Sequence, residues 1–403
     1  MNGKNLIDRF AKAPSEGCIN ELIVWAESGN PSDSEIGYLA NTLANSGSRL
    51  ASGNYRADIP STGGPSSLST ILCPLILAQF SFIIPKLGVP GRPAGGIDVL
   101  AQIPGYKFTY TKIEIENLLS KTNYVHFLAN QDFTPLDRLL FEHRKKIGRI
   151  DVSALVIASL LSKKLACGLS LIGLDIRVSS FGNFGKNNKE AQTNALRFIN
   201  VSKSLGIKAT CFLTTTEYAL QPYIGRGESL IAISKILNAN FSEEKSLKGH
   251  FDNCLLMSQA LLKMTDEFSF NKIIESFSLN LEMQGTTLQS FNNKVEELIS
   301  QDRLDITARD TGFFHYDLRK IRDLITSYQN KFITSTNPFP DPCGIHFLRE
   351  IGEHVNASDN LAEVRFDSRL LGISELRTSF SEILNTTDRV LKIDKSIKII
   401  SDG

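Results

Sequence analysis

Apolar residues recur at a helical spacing near the start of the chain, with polar residues between them. This spacing predicts three amphipathic helices, over residues 6–11, 19–26 and 34–45. Pro31, Ser32 and Asp33 supply a stop and a cap between the second helix and the third. The chain then becomes rich in glycine, serine and proline, which predicts a loop over 46–67.

A continuous apolar run follows this loop, and its all-round hydrophobicity predicts a buried helix over 68–84. A second loop, rich in glycine and proline, is predicted over 85–96. Beyond it the pattern predicts a short helix at 112–121 and a strand at 124–129. Two glycine-rich loops are therefore expected to flank one buried helix.

Helical and strand patterns alternate in the middle of the chain. The alternating elements are predicted at 171–178 (strand), 191–205 (helix), 208–214 (strand) and 228–237 (helix). Such alternation is typical of an α/β layer with a mostly parallel sheet. Further helices are predicted over 245–266 and 270–299, and shorter mixed elements are expected after residue 305.

The clearest helical pattern spans 151–166, where Asp151 or Ser153 is placed to cap the first turn. On this helix Ser159 and Lys163 are four residues apart, so their side chains face the same way. A lysine in a last turn also complements the helix dipole, and a helical serine often bonds back to its own backbone. The pattern alone leaves the structural and the functional interpretation open.

Composition and charge exclude several kinds of partner. The 403 residues carry a formal net charge of +1, so no strong attraction to nucleic acid or to a membrane surface is expected. No apolar run approaches the roughly 18 residues that span a bilayer, and the N-terminal residues lack the apolar core of a secretory signal. The six cysteines form no CxxC pair, which favours reduced thiols in the cytoplasm over a metal site.

One loop carries the pattern of an anion site. In the sequence STGG at 61–64, glycines clear space while hydroxyls and backbone N–H groups are available to an anion. The two preceding residues are Ile59 and Pro60. Isoleucine offers no charge and proline has no N–H, so the cation and proton donor expected beside such a loop are missing at these positions.

Six segments, weak singly but specific in this order, carry a resemblance over nearly the whole chain. They are DIPSTGG (58–64), AGGIDVL (94–100), IPGY (103–106), PLDR (135–138), VIASLLSKK (156–164) and GIHFLREIGEHV (344–355). Together with Arg144 upstream of the SKK helix, they resemble the thymidine phosphorylase and pyrimidine nucleoside phosphorylase family.

The resemblance implies a fold class: a helical domain plus a larger α/β domain with a mixed, mostly parallel sheet, and a C-terminal α+β portion. The fold would be of the nucleoside phosphorylase/phosphoribosyltransferase type. The expected segments are 1–50 (helical), 51–129 (α/β, with the phosphate-type loop), 130–170 (helical return, with the base-binding helix), 171–304 (α/β) and 305–403 (C-terminal α+β). A homodimer formed through the helical domain is expected.

The resemblance also implies that Arg144, Ser159 and Lys163 bind the pyrimidine, with Arg144 and Lys163 taking part in catalysis. Negative charge develops on the base as the glycosidic bond breaks, and fixed positive charge is worth most at that moment. The expected activity is that of a pentosyltransferase acting on a pyrimidine nucleoside. Inorganic phosphate is a possible co-substrate, and no cofactor is expected.

The phosphate side departs from the family pattern, because the family's Lys-His pair corresponds to Ile59 and Pro60. The residues expected to bind phosphate are Ser61, Thr62, Thr70, Arg92, Gly95 and Gly96. The glutamate that could help to hold a structural cation in the family aligns with Ser229, beside Glu228. A structural cation is therefore left open.

The sequence leaves the roles of three further residues undecided, as well as the choice among three functions. His126 could face the cleft, His143 could supply a proton or lie on a helix surface, and Asp175 could bind a ribose hydroxyl or cap a turn. The chain is expected to be an altered phosphorylase that uses phosphate or water. The alternatives are an inactive relative that binds a nucleoside or base as a regulator or scaffold, and phosphoribosyltransferase-type chemistry.

Overall fold

The structure is a computed structural model that describes residues 3–91, 93–129, 132–241, 243–264, 268–390 and 396–401. The helices are α1 (Gly3–Lys12), α2 (Glu16–Ser28), α3 (Asp33–Ala44), α4 (Ser69–Ala78), α5 (Gly96–Leu100), α6 (Lys112–Thr122), α7 (Pro135–Lys146), α8 (Ser153–Ala166), α9 (Asn188–Ser204), α10 (Arg226–Leu237), α11 (Lys245–Leu262), α12 (Phe270–Met283), α13 (Leu288–Ser300), α14 (Leu318–Lys331) and α15 (Ile373–Ser381).

The strands are β1 (Ala57–Asp58), β2 (Ile84–Gly88), β3 (Tyr124–Leu128), β4 (Leu171–Val178), β5 (Lys208–Thr215), β6 (Tyr223–Ile224), β7 (Arg303–Thr307), β8 (Gly312–Tyr316), β9 (Cys343–Phe347), β10 (His354–Val355), β11 (Asn360–Phe366), β12 (Leu384–Thr387) and β13 (Ile397–Ser401). No helix among these described residues is both long and apolar enough to cross a membrane.

The central sheet has the strand order β1-β4-β5-β13. The pairs β1–β4 and β4–β5 are parallel, and β13 runs antiparallel to β5. Strands β2 and β3 form a separate parallel pair, in which Lys86 lies opposite His126. The mixed, mostly parallel sheet predicted from the alternating pattern is confirmed.

The C-terminal part forms two antiparallel sheets with α14 and α15 beside them. One sheet has the order β6-β9-β11-β7, and the other has the order β10-β8-β12. Strand β6 precedes α10 in the chain, so this part is tied to the α/β layer by backbone pairing. The predicted fold class, helical and α/β parts with a C-terminal α+β part, is confirmed.

Apolar side chains pack in three clusters. The first joins α1, α2, α3 and α8 to one face of the central sheet, which presents Leu174 and Ile176. The second joins α4 and α10–α13 to the opposite face, which presents Phe212. The third fills the C-terminal part. Because both faces of β4 and β5 are covered, most positions of these strands are apolar.

The predicted helix over 68–84 is wrong beyond its middle, because α4 ends at Ala78. Ser81 takes a left-handed conformation (φ +63°), and the apolar residues after it form β2 instead. The loop predicted over 85–96 is accordingly a strand as far as Gly88. An apolar run alone does not separate a buried helix from a buried strand.

Two other expectations about helices are also wrong. The segment 270–299 holds two helices, α12 and α13. Gly285 between them has φ +92°, a backbone conformation that residues other than glycine rarely adopt, and it ends the first helix. Neither Asp151 nor Ser153 caps α8. Its N-cap is Val152, without a side-chain bond, and Asp151 forms an ion pair with Lys186 at 3.0 Å instead.

Candidate active site

A cavity of about 570 Å³ brings together the predicted residues of both kinds. Those that line it are Ser61, Thr62, Thr70, Gly95, Gly96, Arg144, Ser159 and Lys163. Arg92, the remaining predicted phosphate ligand, lies outside the described residues. The cavity has two chemically different ends, which we call the base end (Arg144, Ser159 and Lys163) and the anion end (residues 61–64, Thr70 and Gly96).

At the base end, α8 places Ser159 and Lys163 one turn apart on the face toward α7. The Lys163 Nζ donates to Ser159 Oγ at 3.0 Å and to the Ser159 carbonyl at 3.1 Å, and it is ion-paired with Asp137. Asp137 is buried, and its Oδ1 has no hydrogen-bond partner among the described residues. Asp137 thus holds the lysine in place. From the sequence, this residue was noted only as part of the PLDR segment.

Arg144 lies on α7 and is almost fully buried. Its Nε donates to the Arg149 carbonyl at 3.1 Å and its Nη2 to the Ile150 carbonyl at 2.9 Å, which fixes the plane of the guanidinium. Nη1 has no acceptor in the described part of the chain, and the side chain lines the cavity. Burial lowers the pKa of Arg144 to about 10, so the group stays charged at neutral pH.

Apolar side chains form the walls of the base end. They are Phe133, Phe141, Ile150, Val156 and Leu160. Apolar walls with a few polar groups among them are the usual lining of a small-molecule site.

At the anion end, the loop after β1 is shaped by its glycines and pinned to β4. Gly63 and Gly64 have φ of +112° and +134°, a backbone path that only glycine adopts readily. The Ser61 Oγ accepts from the Gly63 N–H at 3.2 Å. The Thr62 Oγ1 accepts from the Arg177 N–H at 2.9 Å. The loop therefore keeps the shape of an anion cradle.

Arg177 braces this loop from behind. Its Nη2 donates to Ser67 Oγ at 2.7 Å and is ion-paired with Asp175, and its Nε donates to Ser61 Oγ at 3.4 Å. The side chain is not among those that line the cavity. Its charge is thus matched by a carboxylate before any ligand enters.

Ile59 and Pro60 are consecutive, but they differ in their position relative to the cavity. Ile59 is fully buried in the second apolar cluster and does not line the cavity, whereas Pro60 does. Gly95 also differs from expectation in its role: its N–H donates to the buried carboxylate of Asp98, at 3.0 Å to Oδ1. Gly95 therefore gives the cavity its shape but directs its N–H elsewhere.

A buried cluster of two lysines and one aspartate, which the sequence did not predict, lies at the anion end. Lys86 Nζ lies 2.6 Å from Asp58 Oδ1, and Lys164 Nζ lies 2.5 Å from Asp58 Oδ2. Lys86 also donates to the Ile59 carbonyl at 2.9 Å. Both lysines line the cavity, so one carboxylate is shared by two ammonium groups at the anion end.

Burial acts against both kinds of charge in this cluster. It would raise the pKa of Asp58, but the charges of Lys164 and Lys86 outweigh it and lower that pKa. Burial lowers the pKa of Lys86, with the Asp58 charge opposing the shift. Two lysines therefore share one buried carboxylate, and that carboxylate is what opposes the effect of burial on Lys86.

His126 completes the anion end from β3. The side chain is buried, and the Tyr124 hydroxyl lies 3.0 Å from its Nδ1. A Cβ built on Gly88 would lie 2.8 Å from His126 Nε2, and one on Gly96 would lie 3.0 Å from the same atom. Only glycines at these two positions leave room for the ring.

The chain matches none of the protein-family models searched, but it has several curated relatives. It is 22% identical to the pyrimidine-nucleoside phosphorylase of Staphylococcus epidermidis over 389 residues, 92% of this chain and 86% of that protein. It is 23% identical to the thymidine phosphorylase of Mycoplasma pneumoniae over 85% of each chain. Human thymidine phosphorylase is 27% identical over 197 residues, 47% of this chain and 41% of that protein.

These low-identity similarities over most of the chain support a divergent relationship to the pyrimidine-nucleoside and thymidine phosphorylases. Among solved structures it is similar to anthranilate phosphoribosyltransferase from Thermus thermophilus, with 16% identity and a TM-score of 0.46. That similarity covers 74% of this chain and 98% of the other.

Two residues whose roles the sequence left open, His143 and Asp175, lie away from the cavity. His143 is buried rather than on a helix surface, and its Nε2 lies 2.8 Å from Asn20 Oδ1. Asp175 accepts from Ser69 Oγ at 2.8 Å and pairs with Arg177. Neither side chain lines the cavity.

The resemblance left undecided whether a structural cation binds near Glu228, and the structure places an arginine side chain there. Arg365 binds both oxygens of the buried Glu228 carboxylate, at 2.6 and 2.9 Å, and Asp341 at 2.6 Å. Within the described ranges no group of three His, Cys, Asp or Glu residues could hold a metal ion. The positive charge beside Glu228 is therefore supplied by a side chain.

Proposed function

We propose that this chain is a pentosyltransferase that cleaves the N-glycosidic bond of a pyrimidine nucleoside. The observation that carries the proposal is the cavity in which Arg144, Ser159 and Lys163 share one space with the 61–64 loop. The family relationship supports the same reaction class.

The base end fits the polar edge of a pyrimidine. The Nη1 of Arg144 and the Nζ of Lys163 are donors for the O2 and O4 carbonyls, and Ser159 Oγ is available at the N3 edge. As the C1′–N1 bond breaks, its electron pair goes to N1 and the base becomes an anion. The two cations then stabilise a charge that the substrate did not carry, which lowers the barrier rather than only tightening binding.

We assign inorganic phosphate as the acceptor, with no cofactor. A phosphate oxygen forms the new bond to C1′, which gives a sugar 1-phosphate and the free base. Ser61, Thr62, Thr70 and Gly96 line the end at which that phosphate would bind, and Arg92 is proposed from sequence alone. Because the loop lacks the family's Lys-His pair, phosphorolysis is expected to be slower than with an intact loop.

Product analysis tests the reaction. Uridine, thymidine and cytidine are incubated separately with the protein, with and without inorganic phosphate, and free base and sugar 1-phosphate are quantified. Phosphate-dependent release of both products is expected. Release of free base and free sugar without phosphate would reassign the chain as a hydrolase, and base consumption only with 5-phosphoribosyl pyrophosphate would reassign it as a phosphoribosyltransferase.

A second candidate function is a non-catalytic nucleoside or base sensor. The substitution of Ile59 and Pro60 for a lysine and a histidine is the observation that favours it. Under this alternative, titration calorimetry detects uridine binding that depends on Lys163, yet no base is released at any phosphate concentration.

We also propose that the protein is a cytoplasmic homodimer that associates through its N-terminal helices. Val24 on α2 supports the assembly, since 58% of this apolar residue is exposed in the single chain. Light scattering at micromolar concentration is expected to give twice the monomer mass, and Val24→Glu is expected to shift the mass toward that of the monomer.

A further inference from the structure

Two neighbouring strands present a lysine and a histidine to the same cavity. Lys86 of β2 and His126 of β3 are direct partners in the register of a parallel pair, so their side chains leave the same face of the sheet. Both line the cavity, at 3% and 1% exposure. The loop that carries this pair of residue types in the family has Ile59 and Pro60 instead.

The lysine has one donor left for a ligand. An ammonium group carries three N–H donors, and Lys86 directs one to Asp58 and one to the Ile59 carbonyl. The second contact places the ammonium directly beneath the loop, two residues before Ser61. Since Lys164 shares the same carboxylate, the cluster has an excess of positive charge at the cavity wall.

The histidine is a neutral donor aimed at the same place. The Tyr124 hydroxyl stays protonated, because burial raises its pKa well above the usual value, so it donates to His126 Nδ1. The proton of the neutral imidazole is then on Nε2, which has no hydrogen-bond partner in the described part of the chain. A Cβ on Gly96 would lie 3.0 Å from this nitrogen and 3.2 Å from Thr70 Oγ1, so ring and hydroxyl converge.

We propose that Lys86 and His126 form a relocated anion site, which binds the phosphoryl class of oxyanion together with the hydroxyls of Thr70 and Ser61. The site deepens the proposed function by identifying what meets the charge of the acceptor. It stands on its own geometry, however: a buried cationic cluster, a buried imidazole N–H and two hydroxyls around one space. A tetrahedral oxyanion is the ligand that accepts from all of them at once.

Titration calorimetry with inorganic phosphate, at constant ionic strength adjusted with chloride, tests the site. Lys86→Met is expected to weaken phosphate binding about 10- to 100-fold, as for loss of a charged hydrogen bond. His126→Phe keeps a ring but removes the N–H, and is expected to weaken binding about 3- to 10-fold. If Lys86→Met does not fold, His126→Phe decides the question alone.

Matched controls are available in the chain. His143→Phe alters a buried histidine that does not line the cavity, and Lys235→Met alters a lysine of α10 that is paired with Glu244. Neither is expected to change phosphate affinity. Ribose 5-phosphate is titrated in parallel, because tighter binding of this compound would assign the site to a phosphoryl group on a sugar rather than to free phosphate.

The outcomes separate this site from the proposed reaction. Unchanged phosphate affinity in both variants, or no phosphate binding by the unaltered chain, overturns the site, whether or not nucleosides are cleaved. Phosphate binding that requires Lys86 and His126 supports the site, even if uridine is neither bound nor cleaved. In that last case the proposed function fails and the anion site remains.

Discussion

The two ends of the cavity differ in how their cationic side chains are paired. At the base end Lys163 is held by Asp137 and Ser159, whereas Arg144 donates to two backbone carbonyls and its Nη1 has no acceptor in the described part of the chain. At the anion end one carboxylate, that of Asp58, serves two buried lysines. A ligand at the base end therefore meets a lysine whose donors are in use and an arginine with one N–H group free, whereas a ligand at the anion end meets two lysines that share one carboxylate.

The largest effect is expected from removing the carboxylate at the anion end. Asp58→Asn leaves two buried ammonium groups without their counter-charge, and the free energy of unfolding is expected to fall by about 3–5 kcal/mol. Urea denaturation followed by circular dichroism measures the loss. Asp252→Asn is the control, because its pair with Lys248 is exposed and is expected to cost at most about 1 kcal/mol.

A double variant sharpens this test. Removing one of the two lysines as well, in Asp58→Asn/Lys86→Met, is expected to recover part of the lost stability. A loss in Asp58→Asn no larger than in the Asp252 control would mean that the cluster is not charged in the folded chain.

At the base end, Lys163→Met is expected to reduce pyrimidine affinity by about 2–4 kcal/mol, roughly 30- to 1000-fold. Phosphate affinity is expected to stay the same, which is the reverse of the result for Lys86→Met. Calorimetric titrations with uracil and with phosphate give both numbers. Lys146→Met alters an exposed lysine of α7 and serves as the control.

This substitution also leaves buried Asp137 without its lysine, so some loss of stability is expected. Lys163→Met/Asp137→Asn removes that unpaired charge and is expected to restore stability while affinity stays low. Recovery of uracil affinity in the double variant would show that Lys163 acts only through Asp137.

A smaller effect concerns pH. Burial, and to a lesser extent the charge of Lys86, lowers the pKa of His126 from 6.5 to about 3. The unfolded chain therefore takes up a proton that the folded chain refuses, and stability falls as the pH drops from 6.5 toward 3. The slope for one such histidine is about 1.4 kcal/mol per pH unit, so about 2 kcal/mol is lost between pH 6.5 and pH 5.

His126→Phe is expected to remove this histidine's share of the slope. His250, whose pKa burial also lowers to about 3, remains in the variant and keeps its own share. Urea denaturation of both proteins at several pH values measures the difference. Parallel pH profiles would contradict the neutral, buried state assigned to His126.

The smallest effect is expected from one hydroxyl. Thr70→Val keeps the shape of the side chain and removes a neutral donor, so phosphate affinity is expected to fall about 2- to 10-fold. Thr193→Val, on the exposed side of α9, is the control. An effect as large as that of Lys86→Met would move the centre of the anion site toward α4.

Local spacing explains which parts of the site could be predicted. Ser159 and Lys163 share a face because they are four residues apart on one helix, and this holds for any tertiary structure. Lys86 and His126 share a face only because β2 pairs with β3 in one register, and nothing near either residue records that pairing. The Pro85 and Gly88 around the lysine favoured a loop at that position.

The same distinction applies to the fold. The strands β4 and β5 were predictable because burial on both faces leaves a largely apolar run, even though β4 also carries Asp175 and Arg177. The end of α4 was not, since Ile84 and Leu87 of β2 continue the apolar character of the helix. Asp58 was hidden for another reason: a lone aspartate between apolar residues does not reveal that two distant lysines meet it.

Lys163 and Lys164 are consecutive residues of α8, yet one faces Asp137 at the base end and the other faces Asp58 at the anion end. A rotation of this helix about its axis moves both ammonium groups together, so the two half-sites share one mechanical element. If base and phosphate bind as proposed, thermodynamic reciprocity requires that phosphate change the affinity for the base by the same factor as the base changes the affinity for phosphate. In that case α8 is the element through which the two proposed ligands can influence each other's binding.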